Sequence, residues 1–303
     1  MTSEADDRPR FDLQAHSQHS DGALRPAQVV ELAKATGVEL LALTDHDTVA
    51  GVEEAVSAGR AAGIAVVPAA ELSAIDANRE DLHVLGYGID HRRAALLSAL
   101  AEFRADREAR AERMAAALAE LGLHLNDAVL DSRRRSGGSI GRPHLARAVI
   151  EDGRNSTRLA EEGLERAEQV LQAYLLPGKP AYRRRTKPGV REAIDVIHAA
   201  GGVAVWAHPF WDIEAPAEVL STLEQFVARG LDGVEAFYIT HDAAQTHLLD
   251  DASRRLDLLG TGSSDFHGPD HSIFSRFRAF SLYGREPRLG SVAERVGYAR
   301  RQP

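Results

Sequence analysis

The chain has 303 residues, is 44% apolar and 27% charged, and carries a formal net charge of −9; this fits a soluble globular protein and excludes a surface that attracts nucleic acid as a whole. No apolar run reaches ~18 residues, which excludes a membrane-spanning helix, and Met1 to Arg10 lacks the apolar core of an export signal, so a cytoplasmic protein is expected. With no cysteine, disulfides and thiolate ligands are excluded, and any metal has to be held by His, Asp and Glu, which suits Mn, Fe, Zn or Mg.

Residues 1–10 are expected to be disordered. Phe11 to His16 reads as a first strand. Pro26 to Thr36 reads as a helix, with Pro26 at its start and Gly37 as its stop. Glu39 to Thr44 is a second strand, Thr48 to Ala62 a helix closed by Gly63, Ile64 to Ala70 a third strand and Asp81 to Ile89 a fourth. These strands are continuous apolar runs without alternation, the pattern of a parallel sheet covered by helices. The rhythm then breaks. Arg92 to Leu121 is a long Ala-, Arg- and Glu-rich helix, Asp131 to Gly141 a Ser/Gly/Arg-rich loop, and Pro143 to Glu151 and Leu159 to Tyr174 are further helices. Residues 92–188 therefore read as a helical insertion, expected to fold over the active-site face. The rhythm returns with a helix over 188–200, a strand over 203–207, a helix over 216–229 and a strand over 233–238. A helix over 242–256 and a strand over 258–261 follow, and Phe277 to Tyr283 is one more extended segment.

Polar chemistry gathers at the ends of these apolar runs. His16, His46, Glu71, His208, Asp265 and His267 each follow or end one, as active-site residues of β/α barrels do. His83 stands near the start of its run; either that strand runs in the opposite sense or the histidine projects from a short strand. Taken singly, each histidine reads as core or surface; as an ordered set they read as ligands. Carboxylates among them can bridge paired cations that clamp the attacking and leaving oxygens of a phosphoryl displacement. Asp45 and Asp47 are expected to orient His46 or to cap the next helix. The basic groups Arg133-Arg134-Arg135, Arg142, Arg183-Arg184-Arg185 and Lys187 read either as solvated surface or as a rim that holds phosphate.

His16-Ser17-x-x-Ser20-Asp21-Gly22, Thr44-Asp45-His46-Asp47, Glu71, His83, Ala207-His208-Pro209 and Gly262-Ser263-Ser264-Asp265-Phe266-His267 together resemble the polymerase and histidinol phosphatase (PHP) family of metallophosphoesterases. The resemblance covers about 11–90 and 190–268, in order. It implies an α/β fold, a distorted seven-stranded β/α barrel formed by 11–91 and 189–303, with 92–188 as the helical insertion. It implies divalent metal ions, two or three per chain, of Mn, Fe or Zn. Glu71 would bridge two of them, with His16 and Asp265 at one site and His83 and His208 at the other. Asp21, His46 and His267 would hold a third. Asp265, His208 and Glu71 would be catalytic.

Gly141-Arg142-Pro143-His144 and the insertion resemble the subgroup acting on nucleoside 3′,5′-bisphosphates and short RNA 5′ ends. Arg142, His144 and, after the sixth strand, His241 are the candidate substrate contacts. The function implied is a metal-dependent phosphoesterase that hydrolyses phosphate esters of nucleotides with metal-activated water. Its partner is a nucleotide or short RNA; no membrane and no stable protein partner is implied. The alternatives are a phosphatase on a small metabolite such as histidinol phosphate and a catalytically impaired binding module. The last rests on one departure: the family opens with His-x-His, whereas this chain has Gln14-Ala15-His16. Gln14 is therefore a candidate weak ligand, His19 a candidate substitute, and a two-metal site the third reading.

Overall fold

The structure is a computed structural model and describes residues 8–77, 79–135 and 140–298. The chain forms two compact units, Met1–Leu100 with Pro188–Pro303, and Ala101–Lys187.

In the first unit seven strands lie side by side in chain order. β1 (Phe11–Asp12) pairs in parallel with β2 (Leu40–Leu43), and β2 with β3 (Ala65–Asp76). The crossovers are α1 (Pro26–Ala35) and α2 (Val52–Ala62), which parallel neighbours require. Pro26 opens α1, where its missing N–H is not needed, and the Gln28 side chain accepts from the Arg25 N–H at 3.0 Å. Gly63 ends α2 at a φ of +72°, a left-handed turn that a Cβ would disfavour. Leu40 to Leu43 are at most 1% exposed, so both faces of β2 are covered, which is why its sequence shows no alternation. Burial of each such leucine stabilises the fold by about 1.5–3 kcal/mol.

β4 (Arg79–Tyr87) reverses the direction. It is antiparallel to β3 and to β5 (Val203–Trp206), so the opposite-sense reading of the His83 strand is the one observed. The third strand, expected to stop at Ala70, runs on to Asp76, because β4 folds back along it and pairs those extra residues. α3 (Ala94–Glu120) starts in the first unit and continues into the second.

The second unit holds the rest of α3 with α4 (Asp127–Arg135), α5 (Arg142–Ile150), α6 (Ser156–Glu161) and α7 (Ala167–Val170). A π-helical turn, Leu171–Leu175, follows. Met114, Leu118, Leu145, Val149 and Leu175 form its core. The loop expected over 131–141 is in part helix. α4 runs through Arg135, with Asp131 and Arg134 paired at 2.9 Å one turn apart; 136–139 lie outside the described residues. The helix expected over 159–174 is broken, since Gly163 turns left-handed at φ +68°.

The first unit resumes with α8 (Val190–Ala199), α9 (Pro209–Asp212), α10 (Pro216–Val227), β6 (Gly233–Tyr238), α11 (Ala243–Arg255), β7 (Leu259–Ser263) and α12 (Ser291–Glu294). β5, β6 and β7 pair in parallel. The sheet nearly closes on itself: the Leu13 N–H donates to the Gly262 carbonyl at 3.2 Å and the His16 N–H to that of Phe266 at 2.8 Å. The first strand, expected to reach His16, is thus only two residues long, its remainder being bonded to Gly262 within β7 and to Phe266 in the loop after it. Phe277 to Tyr283 is not a strand. Phe277 stacks on Phe266 at 4.2 Å and Phe280 meets Phe11 edge-on at 5.4 Å, while Arg278 turns left-handed between them. Of residues 1–10, 1–7 lie outside the described residues; the Arg8 and Pro9 carbonyls accept from the Arg278 guanidinium. Among the described residues no helix is long and apolar enough to cross a membrane.

Candidate metal centre

The strand ends of the first unit converge on Glu71. Its side chain is fully buried in the middle of β3, not at a strand end as the sequence suggested. His46, beyond β2, bridges to Glu71 in parallel, and the Asp47 N–H donates to the Glu71 carbonyl at 2.8 Å. His83 projects from β4, opposite Ser73. His208 follows β5 and Asp265 follows β7; with Asp47 they have φ of +30°, +52° and +52°. Left-handed backbone at three non-glycine strand ends is strain that the surrounding fold imposes, and it aims these side chains inward.

The loop after β1 is built by Asp45. Its carboxylate accepts from the Ser17 N–H and hydroxyl, both at 2.7 Å, and from the Ser20 hydroxyl at 2.6 Å. Gly22 closes this loop so tightly that a Cβ would strike the His16 carbonyl. Asp47 accepts from the Ser73 N–H at 3.0 Å. The expected helix-capping role is therefore not the one observed: Gly51 stands at the α2 N-cap, and the two carboxylates are consumed by tertiary contacts.

Three groups of ligand atoms lie within 4.8 Å of one another: His16 with Glu71 and Asp265; His46 with Glu71 and His83; and His16 with Asp21, His46 and His267. His16 Nε2 is 3.1 Å from Glu71 and 3.0 Å from Asp265. His83 Nδ1 is 2.7 Å from Glu71, and His208 Nε2 is 3.3 Å from Glu71 and 3.2 Å from His83. The structure thus brings together all eight ligand candidates: His16, His46 and Glu71 are each shared between two groups, and His208 stands beside Glu71 and His83. Gln14 is also buried here, but it points its amide nitrogen at Glu71 Oε2, 2.9 Å away. The Ser263 hydroxyl lies 3.3 Å from the Gln14 oxygen. His19, half-buried, joins none of the three groups.

A cation fits this donor set. His16 Nε2, His46 Nδ1 and Asp265 Oδ1 are buried, yet none makes a hydrogen bond. Buried polar atoms are rarely left so, and imidazole with carboxylate is a donor set for Mn, Fe or Zn. Burial alone would raise Glu71, but the imidazoles of His46, His83, His16 and His208 packed around it hold it well below the usual carboxylate range. Burial opposes ionisation of Asp265 too, yet His267 and His16 bring it to about 2. Burial pulls His46 down to about 4, which leaves it neutral and ready to ligate. His208 rises to about 9, because Glu71 outweighs the burial that would lower it.

Sequence reasoning missed the groups that hold these side chains. The Tyr238 hydroxyl donates to Asp265 Oδ2 at 2.8 Å. Glu235 accepts from the His208 N–H at 2.9 Å and from the Ser263 hydroxyl at 2.5 Å. Tyr238 ends β6 as the ligands follow other strands, and that position was its signal; Glu235 lies within an apolar run and gave none. Of the substrate candidates, His241 is buried, ring to ring with Tyr238 at 5.4 Å. Arg142 and His144 lie in the second unit, in the first turn of α5, where His144 Nδ1 accepts from the Gly141 N–H at 3.1 Å.

The sequence profile of the PHP domain matches residues 12–175. A 5′-3′ exoribonuclease of Haemophilus influenzae is 33% identical over 260 residues, 86% of this chain and 90% of that one. A 3′,5′-nucleoside bisphosphate phosphatase of Chromobacterium violaceum is 33% identical over 262 residues, covering 86% and 87%. A solved structure from Bifidobacterium adolescentis, assigned as a candidate metal-dependent phosphoesterase, superposes with a TM-score of 0.75 at 27% identity over 95% of this chain and 96% of that one.

Proposed function

The chain belongs to the PHP-domain family, and on that premise we propose that this metal-dependent phosphoester hydrolase acts on nucleotides, releasing phosphate from nucleoside 3′,5′-bisphosphates or trimming short RNA 5′ ends. The observation that carries the reading is the set of three interlocked ligand groups. Divalent cations held there supply Lewis-acid polarisation of the phosphate and a water of lowered pKa.

The chain's own residues do the rest. Glu71 presents one oxygen to His16 and the other to His83 and His208, the arrangement of a bridging carboxylate. Three carboxylates, Asp21, Glu71 and Asp265, against two or three divalent cations leave the centre net positive, which suits a phosphate ester. Asp265, held by Tyr238, and His208, held through its backbone by Glu235, are the groups we assign to the reacting phosphate with Glu71. His241 is the substrate contact best supported by position, through its ring contact with Tyr238. Arg142 and His144 rest on the sequence motif. A cytoplasmic site of action is supported by the absence of cysteine from the sequence.

The test is phosphate release from a nucleoside 3′,5′-bisphosphate with Mn²⁺ and again with chelator, beside Asp265→Ala. Metal-dependent release that the variant lacks is expected. Equal turnover by a folded Asp265→Ala protein refutes the assignment. Turnover confined to small-metabolite phosphates would move the substrate to the histidinol phosphate class.

A further inference from the structure

We propose that Trp211, with the Phe274 ring beside it, forms a stacking surface for the nucleobase of the substrate; this rests on the nucleotide reading above. Trp211 is 51% exposed, while Trp206, the other tryptophan, is fully buried. A large ring left half in water forgoes much of the stabilisation its burial would bring, so a ligand that covers it gains that term.

The position of the ring is fixed with respect to the metal centre. α9 starts immediately after His208, and the Trp211 N–H donates to the His208 carbonyl at 2.8 Å. Trp211 therefore sits one turn from a candidate ligand. On its other side it meets Phe274 at 5.6 Å. Phe274 in turn lies 5.3 Å from the ring of His267, another candidate ligand, and 5.0 Å from that of His271. The Phe274 carbonyl accepts from the His267 N–H at 2.9 Å, and its N–H donates to His271 Nδ1 at 3.0 Å. Trp211 and Phe274 are thus anchored to two separate ligands, and the exposed ring stands beside the centre.

Flat aromatic surfaces beside a phosphate site take a base by its π-face. Such stacking tolerates any base, since each has a π-face. The surface therefore favours a nucleotide over a phosphate ester without a ring, and it does not discriminate adenine from uracil.

The experiment compares wild type, Trp211→Ala and Trp211→Phe in the Mn²⁺-loaded enzyme. Substrates are adenosine 3′,5′-bisphosphate and the corresponding ribose bisphosphate without a base. Trp211→Ala should raise KM for the nucleotide by about tenfold. The base-free KM and both kcat values should be retained, and Trp211→Phe should recover most of the loss. A nucleotide KM that moves no more than the base-free KM overturns the proposal. So does a Trp211→Ala variant whose only change is its elution volume, which would make the patch a contact between copies of the chain. Fluorescence separates this from the nucleotide reading. Adenosine 5′-monophosphate should quench wild-type emission and leave Trp211→Phe, with only buried Trp206, unchanged. Quenching without turnover of any nucleotide keeps the stacking surface and overturns the nucleotide hydrolysis. Turnover without Trp211-dependent quenching does the reverse.

Discussion

Gln14 decides how firmly Glu71 is held, and replacing it by Ala isolates that contribution. The amide donates to a fully buried, ionised carboxylate at 2.9 Å. A hydrogen bond to a charged partner contributes about 1.5–3 kcal/mol. At about 1.4 kcal/mol per decade, its loss corresponds to about 10- to 100-fold in the affinity of cations held by Glu71, the range found when a group supporting a ligand is removed. The assay is calorimetric titration of chelator-stripped protein with Mn²⁺, with circular dichroism to confirm the fold. Gln14→His, which restores the family's imidazole, is the companion variant and should bind at least as tightly as the wild type. An unchanged Mn²⁺ affinity in a folded Gln14→Ala protein would refute the reasoning. It would mean that Glu71 is positioned by its histidines alone.

Three further outcomes are expected. Tyr238→Phe removes the donor to Asp265 and should weaken metal binding or turnover by about 10–100-fold, measured by titration and by initial rates. Asp45→Ala strands three buried donors of Ser17 and Ser20 and should destabilise the fold by about 3 kcal/mol or more, read from denaturant midpoints. The third concerns pH. His208, raised from 6.5 to about 9, must release a proton to bind a cation, so apparent affinity should climb from about pH 7 and level off above about 9. The stability that this pair gives the metal-free protein has the opposite slope: it is complete below 6.5 and is lost as pH rises through 9.

The parallel strands were legible because strands buried on both faces appear as unbroken apolar runs, as in Leu40 to Leu43. Such runs read the same in either direction, so the reversal of β4 was not legible, although His83 hinted at it. The ligand candidates were legible as an ordered set because most of them follow a strand, Glu71 and His83 lying within one. Glu71 was misplaced at a strand end because the second half of β3 is fixed by its pairing with β4, not by local sequence. Asp45 and Asp47 were expected to serve their own neighbourhood, and instead they bind chain 28 and 26 positions away, respectively. Glu235 and Ser263, 28 positions apart, show no local pattern at all.

The closure of β7 against β1 has a consequence for how the protein is made. Ser263 meets Gln14 across 249 positions of sequence, and His16 meets Asp265 at the same seam. Long-range closure of this kind is slow, since the chain's entropy must be overcome before any contact forms. A nascent chain thus carries only part of the centre until its last strand emerges and docks. The two groups that include Asp265 or His267 are complete only in the closed state, so a cation held by either would draw the folding equilibrium towards closure. A chain stalled or cut before Leu259 loses the seam and two ligand candidates, Asp265 and His267, together.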